Sequence, residues 1–143
     1  MPNIRIPRAA APLLPFCKPW AGKVGNACFN TYADLLIFSA GLGFEHLHGK
    51  SAPTCDSFID DGQPYPIDFN VFKNPGQQLY PQVLLLALAS VKSHEVVRDE
   101  EQLARIVENY AAIGLKNLAS KLTATTPEEF HIELAQLLLD AAK

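Results

Sequence analysis

Three cysteines and two closely spaced histidines are the first candidates for chemistry in this chain of 143 residues. Cys17, Cys28 and Cys55 are odd in number and widely spaced, which argues against a disulfide framework and favours reduced thiols. With His46 and His48 they would make a zinc ligand set, but the short paired spacings of zinc sites are missing. Cys28, between apolar neighbours, is typical of a small buried side chain rather than a nucleophile. We therefore predict no metal site and no cofactor.

A group of aspartates in the middle of the chain is a candidate for divalent-metal chemistry. Asp56, Asp60, Asp61 and Asp68 offer hard oxygen ligands, and two or more of them would hold Mg²⁺ in a nuclease. The acid-x-lysine element that such a nuclease would carry does not follow, and Asp61-Gly62 is typical of a turn. A Mg²⁺-dependent nuclease therefore stays an alternative. The sequence also has no phosphate-binding glycine loop and no serine-nucleophile elbow, so we predict that the protein is not an enzyme.

The basic residues near the N-terminus are candidates for DNA binding. The chain has a net charge of −3, yet its first 33 residues contain Arg5, Arg8, Lys18 and Lys23 and no acid, a local net charge of +4. Cations in such a cluster can neutralise backbone phosphates. These four residues are our predicted DNA contacts, and scattered, solvated cations are the simpler alternative.

The elements that must position these residues are predicted to be mainly α. We expect a single domain over 1–143, with a proline-rich, extended basic arm over 1–28 and a helical core over 29–143. Ile4-Arg5-Ile6 in the arm alternates as a short strand does, and so do residues 67–72, which predict one short β-strand or hairpin. The longest apolar run, Val83–Ala89, is too short to span a bilayer, so we predict no membrane contact. The odd, widely spaced cysteines favour reduced thiols and hence a cytoplasmic protein.

About four helices are predicted from caps and apolar periodicity. The first runs from about Thr31 to Leu42, starting with a Thr31-x-x-Asp34 capping box and ending at Gly43 as a left-handed residue. The second spans about 80–93 and is apolar nearly all round, which predicts a buried helix.

The third predicted helix begins after Asp99 and looks like an amphipathic surface helix. Its polar face carries Arg105, Glu108, Asn109 and Lys116. The fourth begins at the capping box of residues 126–129.

Three stretches in this order and spacing resemble a known family. They are Tyr32–Phe44, Pro66–Phe72 and Glu108–Leu115. Together they resemble the DNA phosphorothioation-associated protein 4 family, found beside bacterial Dnd systems, which replace a backbone phosphate oxygen with sulfur. The resemblance implies an accessory protein of a DNA phosphorothioation-linked defence system whose partner genes restrict unmarked DNA. The resemblance assigns no catalytic residue to this chain.

The predicted function is therefore a non-catalytic adaptor that binds other proteins of the defence operon, DNA, or both, with self-association left open. A second hypothesis is a DNA-binding regulator of ribbon-helix type. In that case Ile4-Arg5-Ile6 would pair across a two-fold axis and enter the major groove.

Overall fold

The computed structural model describes residues 2–17, 29, 31–60, 65–74, 78–121 and 127–141. Its α-helices are α1 (Tyr32–His46), α2 (Phe69–Phe72), α3 (Tyr80–Val91), α4 (Glu100–Lys121) and α5 (Pro127–Ala141). Two 3₁₀-helices cover Arg8–Phe16 and His94–Arg98, and strands β1 (Asn3–Ile4) and β2 (Ile67–Asp68) pair antiparallel. The prediction of a mainly helical protein with a small β element is confirmed. None of the described helices is both long and apolar enough to cross a lipid bilayer.

Helices α1 and α4 form the most extensive contact between elements, and two glycines let their backbones come close. A Cβ atom at Gly114 of α4 would lie 1.7 Å from the carbonyl oxygen of Ser39 in α1. A Cβ atom at Gly43 would lie 2.1 Å from the carbonyl oxygen of Tyr110. Any larger residue at either position would therefore force the two helices apart.

The start of α1 was predicted correctly and its end was not. Thr31 and Asp34 form the predicted capping box, with the Asp34 amide donating to the Thr31 hydroxyl at 3.1 Å. Gly43, however, is a helical residue and not a left-handed stop. The helix continues to His46, and the backbone first takes a positive φ at His48, where φ is 52°. Gly43 allows the backbone of α4 to approach closely, and the local sequence pattern does not reveal this role.

Helix α4 is the central helix, so its predicted position on the surface was wrong. Asp99 caps it as expected, accepting from the Gln102 amide at 3.1 Å. The N-terminal segment, α1 and α3 all pack against it. Its buried residues therefore go beyond one narrow stripe and include Leu103, Ala104, Val107, Glu108, Tyr110, Ala111, Gly114, Leu115 and Leu118.

The described part of the predicted arm, residues 2–17, lies against this core. Residues 8–16 are coiled into a 3₁₀-helix instead of being extended. Its apolar side chains are buried with those of the strand before it, namely Ile4, Ile6, Ala10, Leu13, Leu14 and Cys17. The N-terminal segment thus completes the hydrophobic core.

The predicted strand over 67–72 is mostly helical. Only Ile67 and Asp68 pair with β1, and Asp68 then caps α2 by accepting from the Asn70 amide at 2.9 Å. An aspartate of this kind competes with strand pairing because its side chain satisfies a nearby backbone donor. Phe69 and Phe72, three residues apart on α2, are consequently both buried.

Helix α3 is less buried than its composition predicts. Among its side chains only Val83 and Ala87 are fully buried, whereas Leu85 is 68 % exposed. The prediction of a helix buried on all sides was wrong, because α3 packs on the rest of the protein through one face.

Candidate functional site

The segment from Asn3 to Arg8 is hydrogen-bonded along both of its edges. On one edge, continuous with the β1–β2 pairing, the Ile59 amide donates to the Ile6 carbonyl oxygen at 2.9 Å. The Arg8 amide donates to the Ser57 carbonyl oxygen at 3.0 Å on the same edge. These bonds join the N-terminal strand to residues 57–59 of the long connection between α1 and β2.

The other edge is satisfied by side chains of α4. Arg105 donates from Nη2 to the Asn3 carbonyl oxygen at 2.7 Å, and the Arg5 amide donates to Glu108 Oε2 at 2.7 Å. Alternate residues of an extended strand direct their backbone groups to opposite edges, which explains why odd-numbered residues meet α4. A second copy's strand could pair here only by displacing these bonds. This arrangement weighs against the two-fold pairing that the ribbon-helix hypothesis requires.

Glu108 is the centre of this arrangement. Its side chain is 1 % exposed, and besides the Arg5 amide it accepts from Arg5 Nε at 3.1 Å and Nη2 at 2.9 Å. Arg105 Nε lies 3.4 Å from the Glu108 Oε1 atom. A buried carboxylate needs such partners to offset its lost hydration. The hydrogen bond with Glu108 raises the pKa of the Arg5 guanidinium further above its ordinary value, so Arg5 stays charged.

The Arg5 side chain leads from this buried pair to the surface. Its guanidinium carbon lies 3.9 Å from the centre of the Phe58 ring, and 41 % of the side chain is exposed. Arg5 and Tyr65, which is 64 % exposed, line the same groove of about 400 Å³. We call this the Arg5 groove; it is lined by Arg5, Asp56, Phe58, Ile59, Asp60, Tyr65 and Pro66. It presents a fixed cation, two aromatic side chains and two carboxylates.

Arg8 and Asp60 form an ion pair at the rim of the Arg5 groove. Arg8 Nη2 donates to Asp60 Oδ1 at 3.1 Å and to the Phe58 carbonyl oxygen at 2.9 Å. The side chains of this pair are 53 % and 79 % exposed, in contrast to the buried Glu108. Such an exposed pair adds little stability and exchanges its partners readily.

The four predicted DNA contacts are thus only partly described by the structure. Arg5 lines the Arg5 groove, and Arg8 reaches its rim through Asp60; each is already paired with a carboxylate. Lys18 and Lys23 lie outside the described residues. Contact of these cations with DNA stays a prediction.

The aspartates of the nuclease alternative are divided between two places. Asp56 and Asp60 line the Arg5 groove, whereas Asp68 caps α2. Asp61 lies outside the described residues. Within the described ranges, no three His, Cys, Asp or Glu side chains are grouped so that they could hold a metal ion.

The thiols and histidines are similarly dispersed. Cys17 is buried in the core, and Cys55 is partly buried, with its Sγ 3.5 Å from the Ser57 carbonyl oxygen. Burial raises the pKa of the Cys55 thiol above its ordinary value. Cys28 lies outside the described part of the chain. His46 is the last residue of α1, His48 lies two residues beyond it, and both are exposed.

Sequence reasoning missed Glu108, Phe58 and Tyr65 as members of the site. Glu108 follows Arg105 by three residues, a spacing that is equally typical of a solvated surface pair. Its burial depends on a strand more than one hundred residues earlier. Tyr65 could have been found from the sequence. It lies between Pro64 and Pro66 in a polar loop, where an aromatic side chain is more typical of a contact surface than of a hydrophobic core.

Comparison with known proteins identifies one family. The family model described as DNA sulphur modification system-associated protein 4 matches residues 3–141 of the chain. No curated protein and no solved structure gives a significant match.

Proposed function

The chain belongs to the family of DNA sulphur modification system-associated protein 4, and we propose that it is a non-catalytic adaptor in such a system. In this proposal it binds another protein component through the Arg5 groove. It would act in the cytoplasm beside the enzymes that modify DNA or restrict unmarked DNA.

The arrangement of Arg5, Phe58 and Tyr65 carries the proposal. Arginine and tyrosine are, with tryptophan, the residues most enriched in the energetic centres of protein interfaces. Arg5 is fixed by Glu108 on one side and by the Phe58 ring on the other, so binding would cost little side-chain entropy. A rigid cation beside an exposed tyrosine ring is therefore a preorganised binding surface.

The charged groups of the groove also support a role in binding rather than catalysis. Glu108 accepts three hydrogen bonds from Arg5, which leaves its carboxylate little capacity to take a proton from a substrate. Asp60 is likewise engaged with Arg8.

The proposal is tested with the purified chain and each purified protein component of the sulphur modification system that accompanies it. Binding is measured by biolayer interferometry for the wild type and for Tyr65→Ala. Truncating a residue at the energetic centre of an interface lowers the binding free energy by about 2 kcal/mol, which corresponds to roughly 30-fold weaker binding.

Ile132→Ala is the matched control, because Ile132 is an equally exposed apolar residue on α5, at 71 %. We expect less than a threefold change for it. A protein that binds no component, or that loses binding through Ile132 and not through Tyr65, would contradict the proposal.

DNA binding by Arg5, Arg8, Lys18 and Lys23 is tested in parallel. Fluorescence anisotropy with a DNA duplex at about 50 and 200 mM salt would show steep weakening if these cations contact phosphates. We expect the protein component to bind the groove with a much smaller dependence on salt.

A further inference from the structure

We propose that the Arg5 groove receives an arginine or lysine side chain of the partner protein. This inference rests on the proposed function and adds the chemistry of the occupant. Three features of the groove support it: the excess of carboxylates among its charged lining residues, the exposed ion pair of Asp60 at its rim and the exposed side chain of Tyr65.

Among the charged side chains that line the Arg5 groove, carboxylates outnumber cations, with Asp56 and Asp60 against Arg5. Arg5 is paired with the buried Glu108, which also lies 3.4 Å from Arg105, so its charge is partly compensated. Asp56 lines the groove and is exposed. Glu101 lies on the same face of α4 as Glu108, two turns earlier, and is also exposed. An incoming cation would meet the Asp56 and Asp60 carboxylates, which disfavour a phosphate or a carboxylate at the same position.

Asp60 can change its partner at low cost. Its ion pair with Arg8 is exposed on both sides, and Arg8 keeps a second hydrogen bond to the Phe58 carbonyl oxygen. A partner's guanidinium or ammonium group can therefore take the Asp60 carboxylate while Arg8 remains held. Asp56 and Asp60 would then flank the incoming charge.

Tyr65 supplies the aromatic face for the same cation. The Phe58 ring already carries the Arg5 guanidinium at 3.9 Å, so it has one face occupied. The Tyr65 side chain is 64 % exposed and borders the same groove. A cation over a tyrosine ring gains additional attraction, and arginine most often fills such positions.

The test uses two short peptides as probes, acetyl-Ala-Arg-Leu-Arg-Ala-amide and the same peptide with both arginines replaced by glutamate. Each is titrated into ¹⁵N-labelled protein, and amide chemical shifts are followed by NMR. We expect saturable shifts at Asp56, Phe58, Asp60 and Tyr65 with the arginine peptide and none with the glutamate peptide. A single-stranded thymidine hexanucleotide serves as the nucleic-acid probe.

Asp56→Lys is the diagnostic variant, and Glu95→Lys is its control, because both change the charge equally at an exposed acid. Asp56→Lys should weaken binding of the arginine peptide about tenfold, since it replaces a negative charge beside the ligand with a positive one, a change of two charge units. Glu95→Lys should alter it less than twofold. An unchanged Kd in Asp56→Lys overturns the inference.

Absence of shifts with the arginine peptide, or stronger shifts with the glutamate peptide or the oligonucleotide, also overturns the inference. These results are separable from the proposed function. A protein that binds a system component through Tyr65 yet ignores the arginine peptide would keep the adaptor role and remove only the cationic occupant.

Discussion

Replacing Glu108 by alanine removes the carboxylate that holds the N-terminal strand to α4. In the wild type, Arg5 donates to it from the backbone amide, Nε and Nη2 at 2.7, 3.1 and 2.9 Å. The Glu108 side chain is 1 % exposed, whereas those of Arg5 and Arg105 are 41 % and 33 % exposed. The variant would leave a backbone amide without its acceptor and two arginines without their shared counter-charge.

The magnitude follows from these exposures. A hydrogen bond to a charged group contributes about 1.5–3 kcal/mol, and breaking a fully buried ion pair costs about 3–5 kcal/mol. Both arginines recover part of their hydration from solvent, so the lower end of that range applies. We expect Glu108→Ala to lower the free energy of unfolding by about 3 kcal/mol. With a urea m-value of about 2 kcal/mol/M, the unfolding midpoint falls by about 1.5 M.

The assay is urea unfolding at pH 7, followed by far-UV circular dichroism. Glu101→Ala is the control, because Glu101 is an exposed acid on the same face of α4 and its loss should cost less than about 0.5 kcal/mol. Glu108→Gln keeps the size and one acceptor oxygen and should fall between the two. A Glu108→Ala protein within about 0.5 kcal/mol of the wild type would refute the structural role assigned to this carboxylate.

Three further predictions concern the helix crossing, a cap and a thiol. Gly114→Ala should lower the free energy of unfolding by roughly 3 kcal/mol, since its Cβ would lie 1.7 Å from the Ser39 oxygen. Gly41→Ala in open space should instead stabilise by up to about 1 kcal/mol; equal urea midpoints would contradict this contrast. Thr31→Ala should cost about 1 kcal/mol in the same assay, and no cost would exclude a working capping box. The raised pKa of Cys55 leaves less thiolate at pH 8, so iodoacetamide should alkylate it more slowly than a peptide cysteine in mass spectrometry, and an equal rate would argue against this.

Local features of the fold were predictable where local chemistry decides them. The starts of α1 and α4 follow from Thr31 and Asp99, because a capping side chain bonds to an amide only three residues away. The absence of a stop at Gly43 was not predictable in this way, since that glycine is used for the approach of Tyr110 in another helix.

The same distinction applies to the candidate site. A helix with Glu108 on its polar face has the pattern of a surface helix, and only the N-terminal strand makes that face an interior one. Arg5 was singled out for its charge, but the charge is compensated from a residue 103 positions later in the chain. Sequence reasoning therefore singled out Arg5, Asp56 and Asp60, which line the groove, but not Glu108, the partner that fixes Arg5.

Photo-cross-linking from the Arg5 groove tests the adaptor role most directly. The photoreactive residue benzoylphenylalanine would replace Tyr65 in one sample and Ile132 in another, each mixed with the purified protein components of the sulphur modification system. We predict that irradiation joins the chain to one component from position 65 and not from position 132, and that the joined peptide contains an arginine or lysine beside the link. Cross-links that form from position 132 alone, or from neither position, would contradict binding of a partner in the Arg5 groove.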